Sequence, residues 1–193
     1  MVRIACIGDS NTFGFDPQSL TGGRYAAKIR WADRLAAAGF AVRNLGVNGL
    51  GVSRESVHPV LVGELLSPPQ PDLAAVMLGS NDLLTGLSAP ETARSMKKLL
   101  SLILEKNAAA TVWLIAPVPF RPGVWVPDSR LIEESKELAV RYRLLADGER
   151  IRFADAGEWG IPLAYDGVHF TEEGHRIFAE KLLGLLRGMP DGS

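Results

Sequence analysis

Short apolar runs alternate along the chain with longer stretches in which apolar residues recur at helical spacing. The runs are Val2–Ile7, Ala41–Leu45, Leu73–Leu78, Thr111–Ala116 and Ile151–Ala154, and their near-continuous apolar character predicts strands buried on both faces. The helical stretches are Ile29–Ala38, Val57–Leu66, Pro90–Glu105, Asp128–Leu145 and Thr171–Leu186. Pro90–Glu105 has the clearest period, with Met96, Leu99, Leu100, Ile103 and Leu104 forming one stripe. Gly39 suits the left-handed position that closes a helix, and Pro68 with Pro69 stops the second helical stretch. Five strands alternating with helices predict a mostly parallel sheet covered on both faces. No repeat or long linker interrupts the pattern, so residues 1–193 are expected to form one domain. Pro117–Pro127 is expected to be a structured surface loop.

Composition narrows the partners. Apolar residues make up 47% of the 193 and charged residues 22%, which is globular composition. Lys and Arg number 21 against 22 for Asp and Glu, with no basic cluster, so nucleic acid is not an expected partner. No apolar run approaches the ~20 residues of a spanning helix, and no signal-peptide pattern precedes the first strand; membrane insertion is not expected, and a cytoplasmic location is. Cys6, the only cysteine, reads as a buried small hydrophobe and rules out an intrachain disulfide.

In an open parallel sheet, ligands bind beyond the carboxyl ends of the strands. The segments there are polar and glycine-bearing: Gly8-Asp9-Ser10-Asn11-Thr12, Asn44–Gly49, Gly79-Ser80-Asn81-Asp82 and Asp166-Gly167-Val168-His169. A serine hydroxyl becomes a good nucleophile when an imidazole takes its proton and a carboxylate orients that imidazole. Of the three histidines, His58 and His175 fall in helical stretches and read as structural. His169 lies in a turn three residues after Asp166 and is the better general base. Ser10 ends the first strand. Gly49, without a Cβ, and the Asn81 amide are candidates for oxyanion donors. The order Ser, Asp, His matches the α/β-hydrolases, but the Gly-x-Ser-x-Gly elbow is absent.

Together these four segments resemble the SGNH hydrolases, or GDSL-type esterases, in the family's order and over nearly the whole chain. The resemblance implies a flavodoxin-like three-layer α/β/α sandwich with five parallel strands. It implies Ser10 as nucleophile, His169 as base and then acid, and Asp166 as its orienting partner. The Ser10 and Gly49 amides and the Asn81 side chain would form the oxyanion hole, with Gly46 and Gly51 as neighbouring choices for Gly49. It implies no metal or organic cofactor, and neither a P-loop nor a Gly-x-Gly-x-x-Gly fingerprint is present. The expected activity is cleavage of small carboxylic esters, short acyl or acetyl, with water or an alcohol accepting the acyl group. Asn11 departs from the leucine of the commonest first motif, and is expected to bear on substrate preference rather than activity. Phe13, Phe15 and Trp125 are candidates for lining the substrate pocket. The rival readings are a flavodoxin-like module binding phosphate or nucleotide without hydrolysis, and an inactive family member serving as an interaction protein.

Overall fold

The computed structural model describes residues 1–107, 109, 111–147 and 151–188. Five strands, β1 (Arg3–Gly8), β2 (Ala41–Gly46), β3 (Leu73–Met77), β4 (Thr111–Ala116) and β5 (Ile151–Asp155), form one sheet in the order β2-β1-β3-β4-β5. Every pairing is parallel. This is the flavodoxin-like order. Burial follows position in the sheet. All five residues of central β3 are buried, whereas all six of edge strand β2 are half-buried.

Among the described residues, seven α-helices accompany the strands: α1 (Ser10–Phe13), α2 (Trp31–Ala37), α3 (His58–Leu66), α4 (Ser80–Leu84), α5 (Ala89–Lys106), α6 (Ser129–Ala146) and α7 (Glu172–Arg187). Alternation along each strand sends side chains to opposite faces. Ala5, Ile7, Val76 and Leu114 meet Leu61, Leu65, Met96, Leu99, Ile103 and Leu138 of α3, α5 and α6. Ile4, Cys6, Ala75, Trp113 and Ile115 meet Trp31, Leu35, Phe178 and Leu182 of α2 and α7. The sheet is thus the middle of three layers, with α3, α5 and α6 on one face and α2 and α7 on the other.

Helix ends follow local chemistry. α5 opens at Ser88, whose N–H donates to the Glu91 carboxylate at 2.9 Å, with Pro90 in the first turn. α7 opens at Thr171, whose hydroxyl accepts the Gly174 N–H at 3.0 Å. Gly39, just past α2, takes φ +98°. Two helices escaped the hydrophobic pattern, α1 and α4. Each begins immediately after a strand and is too short to carry a period. Among the described residues, no helix is long and apolar enough to cross a membrane.

Candidate active site

The polar segments singled out from the sequence lie at the carboxyl ends of the strands, with Gly8 and residues 44–46 still the last residues of β1 and β2. β1 lies between β2 and β3, so Ser10, the first residue of α1, has the turn after β2 on one side and that after β3 on the other. The 166–169 turn lies in the connection from β5 to α7, a few residues before that helix begins at Glu172.

Ser10, His169 and Asp166 form one hydrogen-bonded line. Ser10 Oγ lies 2.9 Å from His169 Nε2 across 159 residues of sequence. His169 Nδ1 lies 2.8 Å from Asp166 Oδ2. The other carboxylate oxygen, Asp166 Oδ1, accepts the Val168 and His169 N–H groups, each at 2.9 Å. Burial works to raise the Asp166 carboxyl, but the bonds from the His169 ring and the two amides outweigh it and hold the group below the usual carboxylate range. An ionised carboxylate only accepts, so Nδ1 carries the imidazole hydrogen and Nε2 is left to accept the Ser10 hydroxyl. Both residues are buried, Ser10 7% exposed and His169 1%, so the imidazole is shielded from solvent.

Aromatic rings provide that shield. Phe15 and Trp125 pack on the His169 ring at centroid distances of 4.7 and 4.9 Å. Trp125, 49% exposed, sits in the loop 117–127, which is folded onto the turn beside it. Arg121 and Trp125 donate their N–H groups to the Gly167 and Asp166 carbonyls, both at 3.1 Å. Gly123 and Gly167 permit this approach, because a Cβ on either would overlap backbone of the other segment. Phe13, the third candidate pocket residue, instead lies under the Arg24 guanidinium, 4.5 Å from its ring centroid.

The turns after β2 and β3 are tied to one another. Asn81 Nδ2 donates to the Leu50 carbonyl at 3.2 Å, one residue from Gly49. The buried Asp82 carboxylate accepts the Val52 and Ser53 N–H groups at 2.8 and 2.7 Å. Gly46 and Gly51 have structural reasons to be glycine. A Cβ on Gly46 would meet the Thr12 and Phe13 backbone, and one on Gly51 would press on the Asp82 carboxylate. Gly49 differs: it has φ +71° and open space where its Cβ would be. Among the described residues, the Ser10 and Gly49 N–H groups have no partner.

Two residues have larger roles here than their sequence reading suggested. Asp82 was visible only as the end of a Gly-Ser-Asn-Asp turn, yet it holds the neighbouring loop. Asn11, expected to bear on substrate preference, also reaches the His169 turn: its Nδ2 donates to the Val168 carbonyl at 3.1 Å and its Oδ1 accepts the Phe170 N–H at 2.9 Å. Asp9 caps α1 by accepting the Asn11 N–H at 3.0 Å, and burial pushes its carboxyl up to about 6.

The remaining histidines are structural. His58 is buried at the start of α3, with Nε2 2.7 Å from the Val52 carbonyl. His175 is fully buried in α7 against Tyr25 and Phe170. No group of three or more His, Cys, Asp or Glu among the described residues is placed to hold a metal ion.

Comparison with known proteins shows the family. The model of the GDSL-like lipase/acylhydrolase family matches residues 6–177. The chain is similar to the native aryl esterase of M. smegmatis, with a TM-score of 0.85 and 27% identity over 98% of this chain and 100% of that one. A carbohydrate acetylesterase from Sinorhizobium meliloti gives 0.79 and 27% over 96% of this chain and 100% of that one. A curated relative, the N-acylneuraminate cytidylyltransferase of Streptococcus agalactiae, is 33% identical over 106 residues, 54% of this chain. The chain spans about a quarter of the length of that relative. With the family pattern running through nearly all of a fold shared with esterases, the chain belongs to the GDSL-like lipase/acylhydrolase family and is an enzyme of the carboxylic ester hydrolase class.

Proposed function

We propose that the chain is a serine esterase that cleaves short acyl or acetyl esters through an acyl-enzyme on Ser10. The observation that carries this reading is the unbroken line from Ser10 Oγ through the His169 ring to Asp166. In the proposed cycle, Ser10 Oγ attacks the ester carbonyl carbon while His169 Nε2 takes its proton. Asp166 stabilises the imidazolium that forms. The negative charge on the former carbonyl oxygen is met by the Ser10 and Gly49 N–H groups and the Asn81 amide. His169 then gives its proton to the leaving alkoxide, and the carbonyl re-forms as the acyl-enzyme. Water, deprotonated by the same Nε2, attacks that ester and releases the acid, restoring Ser10.

Support for the substrate class comes from two sides. The similar structures are an aryl esterase and a carbohydrate acetylesterase. Trp125, half-exposed and edge-on to His169, offers a flat apolar wall that suits either an aromatic leaving group or a sugar face.

The test is hydrolysis of p-nitrophenyl acetate by wild type beside Ser10→Ala, at matched circular dichroism, followed by butyrate, octanoate and acetylated sugars. Wild-type turnover should vanish in Ser10→Ala and fall as the acyl chain lengthens. Equal rates in the two proteins would remove Ser10 as nucleophile, and a preference for octanoate would overturn the short-acyl reading.

A further inference from the structure

We propose that Asn11 is a positioning residue that sets the Ser10–His169 distance by clamping the backbone on both sides of the imidazole. The inference rests on the reading of Ser10 and His169 as nucleophile and base.

Four backbone groups surround the His169 side chain, and each is committed. Its own N–H donates to Asp166 Oδ1, and its own carbonyl accepts the Ala164 N–H at 2.7 Å. These bonds close the turn on itself and leave its position relative to Ser10 free. The flanking pair, the Val168 carbonyl and the Phe170 N–H, face Asn11 and bond to its side chain. A primary amide is suited to this because it carries a donor and an acceptor on one carbon, matching an adjacent carbonyl and N–H. Asn11 therefore acts on His169 as a neighbouring strand would, over a single residue.

A clamp needs a fixed jaw. The Asn11 N–H donates to Asp9 Oδ1, and the Asn11 carbonyl accepts the Trp31 Nε1–H at 2.9 Å. Asn11 is buried, and Trp31 is fixed in the core by Phe178 at a ring distance of 4.7 Å. The residue next to the nucleophile is thus anchored on one side to the core and on the other to the peptide bonds that carry the base. Apart from the Ser10–His169 bond itself and the Phe15 ring against the imidazole, the other side-chain ties between these regions are less direct. Tyr25 approaches the Phe170 carbonyl at 3.5 Å, and Tyr165 donates to the Pro17 carbonyl at 2.9 Å. Neither spans His169.

A hydroxyl and an imidazole transfer a proton efficiently only over a narrow range of geometry, and a displacement near 1 Å costs up to about a hundredfold in rate. Leucine at this position keeps the branching of asparagine at Cγ, is bulkier, and has neither polar group. Asn11→Leu should lower kcat about 10- to 100-fold with KM within about twofold, because binding does not use the clamp. Labelling of Ser10 by a fluorophosphonate probe should slow in step with kcat. A packing role alone would lower the melting temperature but leave kcat per folded molecule and the labelling rate unchanged. Asn11→Asp is the second variant, in case the leucine protein does not fold. Its carboxylate keeps the acceptor for Phe170 but turns an oxygen toward the Val168 carbonyl, so kcat should fall again. The assay is p-nitrophenyl acetate hydrolysis by wild type, Ser10→Ala and both Asn11 variants. Inactive Ser10→Ala with kcat of either folded Asn11 variant near wild type would overturn the clamp alone. Active Ser10→Ala would overturn the catalytic reading beneath it.

Discussion

At the scale of single residues, His169 and His175 are six positions apart and differ almost entirely in what surrounds them. His169 has a carboxylate on one nitrogen and a hydroxyl on the other. His175 has Trp31 N–H 3.4 Å from Nδ1 and aromatic rings around it. Burial pushes the His175 imidazole down to about 3, with the positive charges of Arg34 and Arg30 adding to the effect. The folded chain therefore keeps it neutral, while an unfolded chain protonates it near 6.5. Its contribution to stability is complete above pH 6.5 and is lost as pH falls toward 3. Asp9 works in the opposite direction: held up to about 6, it retains a proton in the folded state that the unfolded chain releases near 3.9. Whole-protein curves mix the two, and a variant separates them. His175→Asn keeps an acceptor near Nδ1 and cannot titrate. In urea unfolding from pH 7 to 4.5, the variant should gain on wild type by about 1.4 kcal/mol per pH unit below 6.5. Parallel curves for the two proteins would show that His175 titrates alike in both states.

At the scale of elements, the turn after β2 is shaped by the turn after β3. The Asp82 carboxylate satisfies two N–H groups of the 50–53 segment, and Asn81 holds Leu50. Asp82→Asn would set an NH2 group against one of those N–H donors, leaving a buried donor without its acceptor at a cost of about 1–3 kcal/mol. Urea titration should show that loss, and kcat for p-nitrophenyl acetate should fall because Gly49 adjoins the loosened segment. Unchanged stability would mean that the loop is held elsewhere. This link was not legible in sequence, since Asp82 and Val52 are 30 positions apart and no local pattern joins them. The strands were legible because β3 and β4 are apolar on both faces, and α5 because Met96, Leu99 and Ile103 mark its buried side. α1 and α4 were not, because helices of four and five residues show no period. The Ser10, Asp166 and His169 positions stood out through the chemistry of their turns. Asn11 did not, because its partners are main-chain groups at 168 and 170, and main chain leaves no mark in sequence.

At the scale of the whole molecule, the two apolar cores share one sheet. Ile7 and Cys6 are adjacent in β1, yet they belong to opposite cores, so neither core can open without disturbing strands the other needs. We infer that the chain unfolds as one domain. Intrinsic tryptophan fluorescence reports mainly the α2/α7 side through Trp31, Trp113 and Trp159, and esterase activity reports the rim. Both should be lost in urea at one midpoint, together with far-ultraviolet circular dichroism. Separated midpoints would divide the sheet into independent units. The bond between Ser10 and His169 also has a consequence in time. A ribosome adds about 5–20 residues per second, so the 159 residues between them take roughly 8 to 30 s to make. On the proposed catalytic reading, the nascent chain carries its serine throughout that interval without the imidazole that would activate it. Incomplete products of translation would then be silent toward esters, and competence would arrive in a single late event.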